Sequence, residues 1–323
     1  MANVLRGLVT GVRQGIAALG RIRPDEDVMQ DFSPEYQKDF GGMRGYALEI
    51  QSKARAGDLE SIFEIASEYL TGGWLKANPI KAAKWMQKAA ELGHAVAQML
   101  FASMCATGTG VQKDEIAAAR WLHAAAEQGS SNAGFALAEL YEAGIGVNRD
   151  PKQAVYWTVK AALAGNAEAQ NALGIRHMNG QGIDKDYHAA KRWLEKSAEQ
   201  GNAEAHFGLG VIHDRGYDVP PDQVEAANWY RKAADQGHIK AQLNLGFSYA
   251  RGEGVQQDYA QAAVWFRKAA EQGQSNAQAN LGVLYRNGWG VPQDDKEAIT
   301  WLRKAAEQGN ADAKAHLKSL SGG

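Results

Sequence analysis

The sequence predicts an all-α fold, a right-handed α/α solenoid of stacked helix pairs. Three observations carry that expectation. Tryptophans recur at Trp85, Trp121, Trp157, Trp193, Trp229, Trp265 and Trp301, every interval being 36 residues. Eight residues after each comes a glycine: Gly93, Gly129, Gly165, Gly201, Gly237, Gly273 and Gly309. A second series, Gly72, Gly108, Gly144, Gly180, Gly216, Gly252 and Gly288, lies earlier in each unit, and no insertion breaks the register. Self-similarity at such a period marks a repeat architecture, in which each unit buries its apolar face against its neighbours.

Composition narrows the function classes. The chain has 323 residues, 45% of them hydrophobic, which is enough for a large core. Its 35 basic side chains nearly balance 37 acidic ones, so it lacks the cationic footprint of a nucleic-acid binder. One cysteine excludes an intramolecular disulfide. No apolar run reaches 18 residues, so no transmembrane helix is expected.

From the N-terminus, residues 1–24 carry Arg6, Arg13, Arg21 and Arg23 and no acid. Apolar residues from Val4 to Leu19 recur at roughly helical spacing, interrupted by Arg13 and Gln14, so a secretory signal is not expected. The segment reads either as a mobile tail or as a basic amphipathic helix that docks on a partner or a membrane surface. Residues 25–42 read as an acidic linker. Residues 43–57 should form an N-terminal capping helix, because Gly57 lies 36 before Gly93 although Glu49 holds the tryptophan site. Residues 58–309 are the seven units. Residues 310–323 should supply a lone first helix, with Ala313 and Leu317 matching Ala277 and Leu281. Terminal units of a stacked array need polar covers.

Within a unit, the sixth for example, Ala241, Leu245 and Tyr249 give the apolar face of helix one. It should end at Gly252, since glycine accepts the left-handed conformation at a helix C-terminus. Gly254 and Val255 then turn the chain. Asp258 and its equivalents Asp114, Asp150, Asp186, Asp222 and Asp294, with Asn78 in the first unit, should N-cap helix two. Gln153, Glu225, Gln261 and Glu297, three residues on, have the spacing of a capping box. The tryptophans are expected to be core wedges.

The pattern resembles the Sel-one-like repeat family, relatives of the tetratricopeptide repeats. The sixth unit carries the motif as Leu245, Gly246, Tyr249, Gly252, Gly254, Val255, Asp258, Ala262, Trp265, Lys268, Ala269, Ala270, Glu271 and Gly273. The resemblance covers residues 58–309. It implies a tetratricopeptide-like superhelix that binds other proteins, often as an adaptor in bacterial signalling, envelope or secretion systems. Trp74 replaces the second glycine of the first unit, and Tyr217, Asp218 and Pro220-Pro221 alter the turn of the fifth. Paired cysteines of the cysteine-rich members are missing, so disulfide stapling does not carry over.

Catalytic signatures are absent: no HExxH, GxxxxGK[ST], GxSxG or CxxC occurs. The repeated aspartates have a sufficient capping role. Cys105 occupies the tyrosine site of helix one and reads as a packed substitute. His177 and His213 share that site and His206 lies two turns before His213. A metal site from these would need a third ligand, so no metal, cofactor or catalytic residue is expected.

A partner site is expected on helix one, at residues whose identity varies while the framework is constant: Met99, Phe135, Ile175, Met178, Phe207, Val211, Leu243, Phe247, Val283 and Arg286, with Arg215 and Arg251 beside them. By the resemblance this phase lines a concave groove; the alternative is inter-helix core. An apolar strip with basic edges suits an amphipathic helix or an extended peptide with acidic flanks. The sequence thus predicts a non-enzymatic scaffold for a protein or peptide partner. An immunity-type inhibitor of a toxin or enzyme is the alternative, and an enzyme with an unrecognised inter-repeat site a remote one. Lack of a recognised signal favours the cytoplasm, with the periplasm as the alternative.

Overall fold

Each repeat folds as predicted into two helices, because every helix end finds a partner for its orphan backbone groups. The computed structural model describes residue 31 and residues 41–73, 75–217 and 219–321. The segment 1–24, most of the linker, Trp74 and Asp218 lie outside the described residues. Among these residues are sixteen helices and no β-strand. In chain order they are α1 (Gly41–Arg55), α2 (Leu59–Thr71), α3 (Pro79–Glu91), α4 (Ala95–Thr107), α5 (Glu115–Glu127), α6 (Ser131–Ala143), α7 (Pro151–Leu163) and α8 (Ala167–Asn179). There follow α9 (Tyr187–Glu199), α10 (Ala203–Arg215), α11 (Gln223–Asp235), α12 (Ile239–Arg251), α13 (Tyr259–Glu271), α14 (Ser275–Asn287), α15 (Asp295–Glu307) and α16 (Ala311–Ser321). Even-numbered helices from α2 to α14 are helix one of each unit. Helix α1 begins two residues inside the segment read as linker.

The chain groups into two compact units, one ending at Ala169 and the other beginning at Gln170. In the first, α1 to α7 pack each against the next; in the second, α9 to α16 do the same.

Local chemistry fixes the pairs. Asn78 and the predicted aspartates sit in extended backbone, and their side chains accept amide hydrogens from the first turn of helix two. That satisfies orphan donors the helix cannot satisfy itself. The amide of each cap then donates back to the tyrosine site nine residues earlier, as in Asp258 N to Tyr249 O at 2.9 Å and Asp114 N to Cys105 O at 2.8 Å. The capping-box expectation is not met at Glu297, whose Oε2 accepts from Trp301 Nε1 at 3.1 Å instead.

The two turn glycines have different jobs. Gly252, at φ 72°, is the left-handed C-cap of α12. Gly254, also at φ 72°, lies against the preceding unit: a Cβ there would stand 1.8 Å from the Gln223 carbonyl oxygen at the start of α11.

The core lies one residue further than the tryptophans suggest. Met86, Leu122, Thr158, Leu194, Tyr230, Phe266 and Leu302, each following a tryptophan, are all buried. Trp157, Trp265 and Trp301 are buried too. Trp85, Trp121, Trp193 and Trp229 are only half-buried, which corrects the expectation that all seven are core wedges. A lysine three residues on lies over most of these rings, as Lys232 Nζ does 3.7 Å from the Trp229 centroid. The indole therefore roofs the core while the ammonium keeps to water.

Candidate partner-binding face

The variable phase of helix one occupies half-buried ground, and each compact unit is described in turn. In the first, Phe135 is half-buried on α6. Met99, on α4, is buried and belongs to the core cluster of Leu122 and Leu137, so it is framework rather than binding surface. Glu139 follows Phe135 by one turn, and burial raises its carboxyl above the usual range, with Glu168 adding to the effect.

In the second unit, Ile175 and Met178 on α8, Phe207 and Val211 on α10, Phe247 on α12 and Val283 on α14 are all half-buried. Leu243 is buried in the cluster of Phe266 and Leu281 and is likewise corrected to framework. Phe207 stacks on His238 with centroids 4.6 Å apart and tilts against Tyr230 at 5.8 Å. Phe247 meets the edge of Phe266 at 5.2 Å, and the Arg251 guanidinium lies 5.0 Å from its ring centre. These aromatics are held at fixed angles by buried neighbours while part of each remains accessible.

The predicted basic edge is more constrained than spacing suggested. Arg215 Nε lies 3.7 Å from Asp214 Oδ2, and Arg251 Nη1 lies 3.7 Å from Glu253 Oε2, both arginines being largely exposed. Arg286 is half-buried and donates from Nη1 to Ser319 Oγ of α16 at 2.8 Å. Arg215 and Arg251 can exchange exposed partners for a ligand carboxylate at little cost. Arg286 is already used to hold α16.

Sequence reasoning missed the residues that set this face. His238 caps α12, its Nδ1 accepting from Ala241 N at 3.1 Å, and its Nε2 faces Glu204 Oε2 at 2.9 Å. Nδ1 as acceptor leaves Nε2 as the donor, so the ring is fixed for Phe207 to stack on. The bond from His238 holds the Glu204 carboxyl below its ordinary value, against burial. His94, Glu60 and Phe63 repeat the arrangement in the first unit, with Nδ1 accepting from Ala97 N at 3.0 Å, Nε2 at 3.5 Å from Glu60, and rings 4.3 Å apart. The available signal was the polar residue just after each repeat glycine: His94, Ser130, Asn166, Asn202, His238, Gln274 and Asn310.

The groups weighed for chemistry have structural partners. His206 is buried, its Nδ1 3.1 Å from Gln236 Nε2 and its ring stacked on Trp229, and burial lowers its pKa. His177 and His213 give their carbonyls to the caps Asp186 and Asp222. Cys105 is buried, and burial raises its thiol pKa, the opposite of nucleophile activation. Among the described residues no three His, Cys, Asp or Glu side chains are grouped to hold a metal ion, and no helix is long and apolar enough to cross a membrane.

Comparison with known families matches seven consecutive Sel1 repeats, at residues 59–94, 95–130, 131–166, 167–202, 203–238, 239–274 and 275–310. Among solved structures, the chain is similar to a protective antigen present in uropathogenic Escherichia coli strains displaying an SLR fold. Identity is 35% over 84% of this chain and 58% of that one, with a TM-score of 0.80, so this chain spans less than two thirds of the antigen's length. It is also similar to a Sel1 repeat protein from Oxalobacter formigenes, at 33% identity over 88% of this chain and 83% of that one, with a TM-score of 0.70. No curated protein matches it.

Proposed function

The chain belongs to the Sel1 repeat family, and on that premise we propose that it is a non-enzymatic scaffold whose second unit binds a protein partner through helix one of successive repeats. The observation that carries the reading is the half-buried row of Phe207, Val211 and Phe247, flanked by exposed Arg215 and Arg251. Partly accessible aromatics clamped by buried neighbours lose little entropy on binding, which is what an anchor site needs. The charge of α12 and α14 supports an acidic ligand: α12 carries Lys240 and Arg251 and α14 carries Arg286, neither with an acid, while α10 carries Glu204 and Asp214 beside Arg215. An amphipathic helix or extended segment with acidic flanks is the matching partner.

The test is affinity capture with the purified chain from its native host, with the captured partner identified by mass spectrometry. Phe207→Ala and Phe247→Ala should each weaken capture by at least ~2 kcal/mol, the scale of an interface anchor. Their melting loss should stay well below the ~3–5 kcal/mol typical of a fully buried aromatic. Full melting loss with capture intact would make both residues packing only. Reversing charge at Arg215 and Arg251 should weaken capture at low salt and matter less at high salt, because exposed charges are screened within ~8–10 Å at physiological ionic strength.

A further inference from the structure

The turn of the first repeat already holds an acidic residue. Asp31 Oδ2 accepts from Tyr69 Oη at 2.8 Å and from Lys81 Nζ, whose ammonium also lies 5.5 Å from the centre of the Tyr69 ring. The Asp31 carbonyl accepts from Lys76 N at 2.6 Å, so one residue is gripped by both its side chain and its main chain. Burial raises the Asp31 carboxyl, but the bonds from Lys81 and Tyr69 outweigh it and hold it below its ordinary value. Bonds to an ionised carboxylate are the stronger class.

Five repeats on, the positions of Tyr69, Lys76 and Lys81 are held by Tyr249, Gln256 and Gln261. These three line one cavity of about 650 Å³ together with Arg231 and Asp258, within the ~300–1,000 Å³ range of ligand sites. The cation has changed helix: Gln261 stands where Lys81 did, and Arg231 on α11 takes over. Its Nη2 donates to Tyr249 Oη at 2.6 Å, with the guanidinium 5.8 Å from the ring centre. A hydroxyl that accepts from a guanidinium keeps its own hydrogen to give. Gln256 is exposed and brings the amide that corresponds to Lys76 N. The cap differs, since neutral Asn78 becomes Asp258. Its Oδ1 is taken up by Ala260 N at 2.8 Å and Gln261 N at 3.0 Å, and Arg231 supplies the opposing charge. Tyr69 and Leu75 are buried, whereas their equivalents Tyr249 and Val255 are half-buried and have surface left to cover. The other repeats do not assemble the set. The second, fourth and fifth have Cys105, His177 and His213 for the tyrosine, and the third has Tyr141 but His123 and Gln153 at the cation positions. In the seventh, Tyr285 accepts from Arg267, but Pro292 has no amide hydrogen to match Gln256 and Glu297 brings an acid.

We propose that the cavity of Tyr249 and Arg231 is a docking site for an aspartate of a protein partner, held as the first repeat holds Asp31. The carboxylate takes the Tyr249 hydroxyl and Arg231, and the carbonyl of the same residue takes Gln256 N. The site shares no residue with the row of Phe207, Val211 and Phe247. The inference goes beyond that face and stands without it, because its probe is a peptide of fixed sequence rather than the host partner.

The test is a binding titration of the full chain with an end-blocked peptide of residues 28–34, in which Asp31 is the only charge. The parent chain should bind it, and the same peptide with Asp31→Asn should bind about tenfold more weakly or worse, the scale of a bond to a charged group. Tyr249→Phe, which keeps the ring, should cause a similar loss with melting retained. Gln261 is exposed, so its variants endanger folding least. Gln261→Lys restores the cation of the first repeat and should tighten binding about two- to fivefold, while Gln261→Glu should weaken it to a similar extent. If Tyr249→Phe lowers melting sharply, the opposite responses of the two Gln261 variants decide. Absence of binding at ~1 mM peptide overturns the proposal, as does binding that ignores Tyr249→Phe and both Gln261 variants. Self-association of the parent chain that Tyr249→Phe abolishes overturns the partner assignment and gives the site to a second copy of the chain.

Discussion

Gly254 is a residue at which a single hydrogen decides whether two repeats can meet. A methyl there would stand 1.8 Å from the Gln223 carbonyl oxygen, whereas at Gly273, with φ 89°, a Cβ would meet nothing within 4 Å. Both sites carry the left-handed penalty of ~1–2 kcal/mol for an L side chain. Only Gly254→Ala adds a clash with backbone, which overpacking data put at a further ~1–3 kcal/mol. Thermal melting should therefore rank Gly254→Ala clearly below Gly273→Ala; equal losses would mean the units yield at this contact. The bond between His238 and Glu204 makes a second residue-scale prediction. The Glu204 carboxyl is lowered from 4.5 in the folded chain. Its contribution is fully present above that unfolded value and is lost as pH falls through the lower folded one. Glu204→Gln should cost ~0.2–1 kcal/mol near neutral pH, the range for a part-exposed pair. It should also flatten the fall in stability below pH 4.5 expected of the parent chain. The aspartate caps were legible in the sequence because capping chemistry is local. The histidine caps were not, since an imidazole accepts at Nδ1 only when something fixes its tautomer, and here that group lies 34 residues away.

At the scale of elements, what locks one helix pair is a ladder of amides. Gln242 Nε2 donates to the Ala234 carbonyl at 3.2 Å, and Gln272 Nε2 donates to Gln242 Oε1 at 2.8 Å. The same pair recurs as Gln98 with Gln128, Gln170 with Gln200, and Gln278 with Gln308. In the third repeat both members are gone together, replaced by Gly134 and Ala164. A Cβ on Gly134 would meet the Trp157 ring at 3.8 Å, and Trp157 is the most buried of the repeat tryptophans. A buried amide left without its partner costs ~1–3 kcal/mol, while removing both partners costs less. Gln242→Ala and Gln272→Ala should therefore be less than additive in melting experiments, with a coupling of ~0.5–3 kcal/mol. Additive losses would reduce the ladder to independent bonds. Helix boundaries were legible because the period is invariant. The exposure of the proposed face was legible only in part: Phe207, Val211 and Phe247 are half-buried against the core clusters, whereas Met99 and Leu243 are buried within them. Helical phase gives a direction around one axis, and both of those side chains turn into core clusters formed with helix two.

At the largest scale, each compact unit packs helix against next helix, so within it stability travels along the chain by contact rather than through a common centre. That is why the end of the second unit is sensitive. Leu302, Ala305 and Ala313 are fully buried in one cluster with Ala279, and Leu317 and Leu320 of α16 pack against it. Asn310 accepts from Ala313 N at 2.9 Å and donates to Asn276 Oδ1 at 2.8 Å, so α16 is capped by the device used at helix one of other repeats. Deleting residues 310–323 should uncover Leu302 and release Arg286 from Ser319. The truncated chain should then self-associate, and hydrogen exchange should locate the damage. Protection should fall most in α14 and α15 and fade toward α9, because each interface lost weakens only the next. A uniform fall across the second unit would instead make it one cooperative block. A chain that stays monomeric with unchanged exchange would show that α16 covers nothing the repeats need covered.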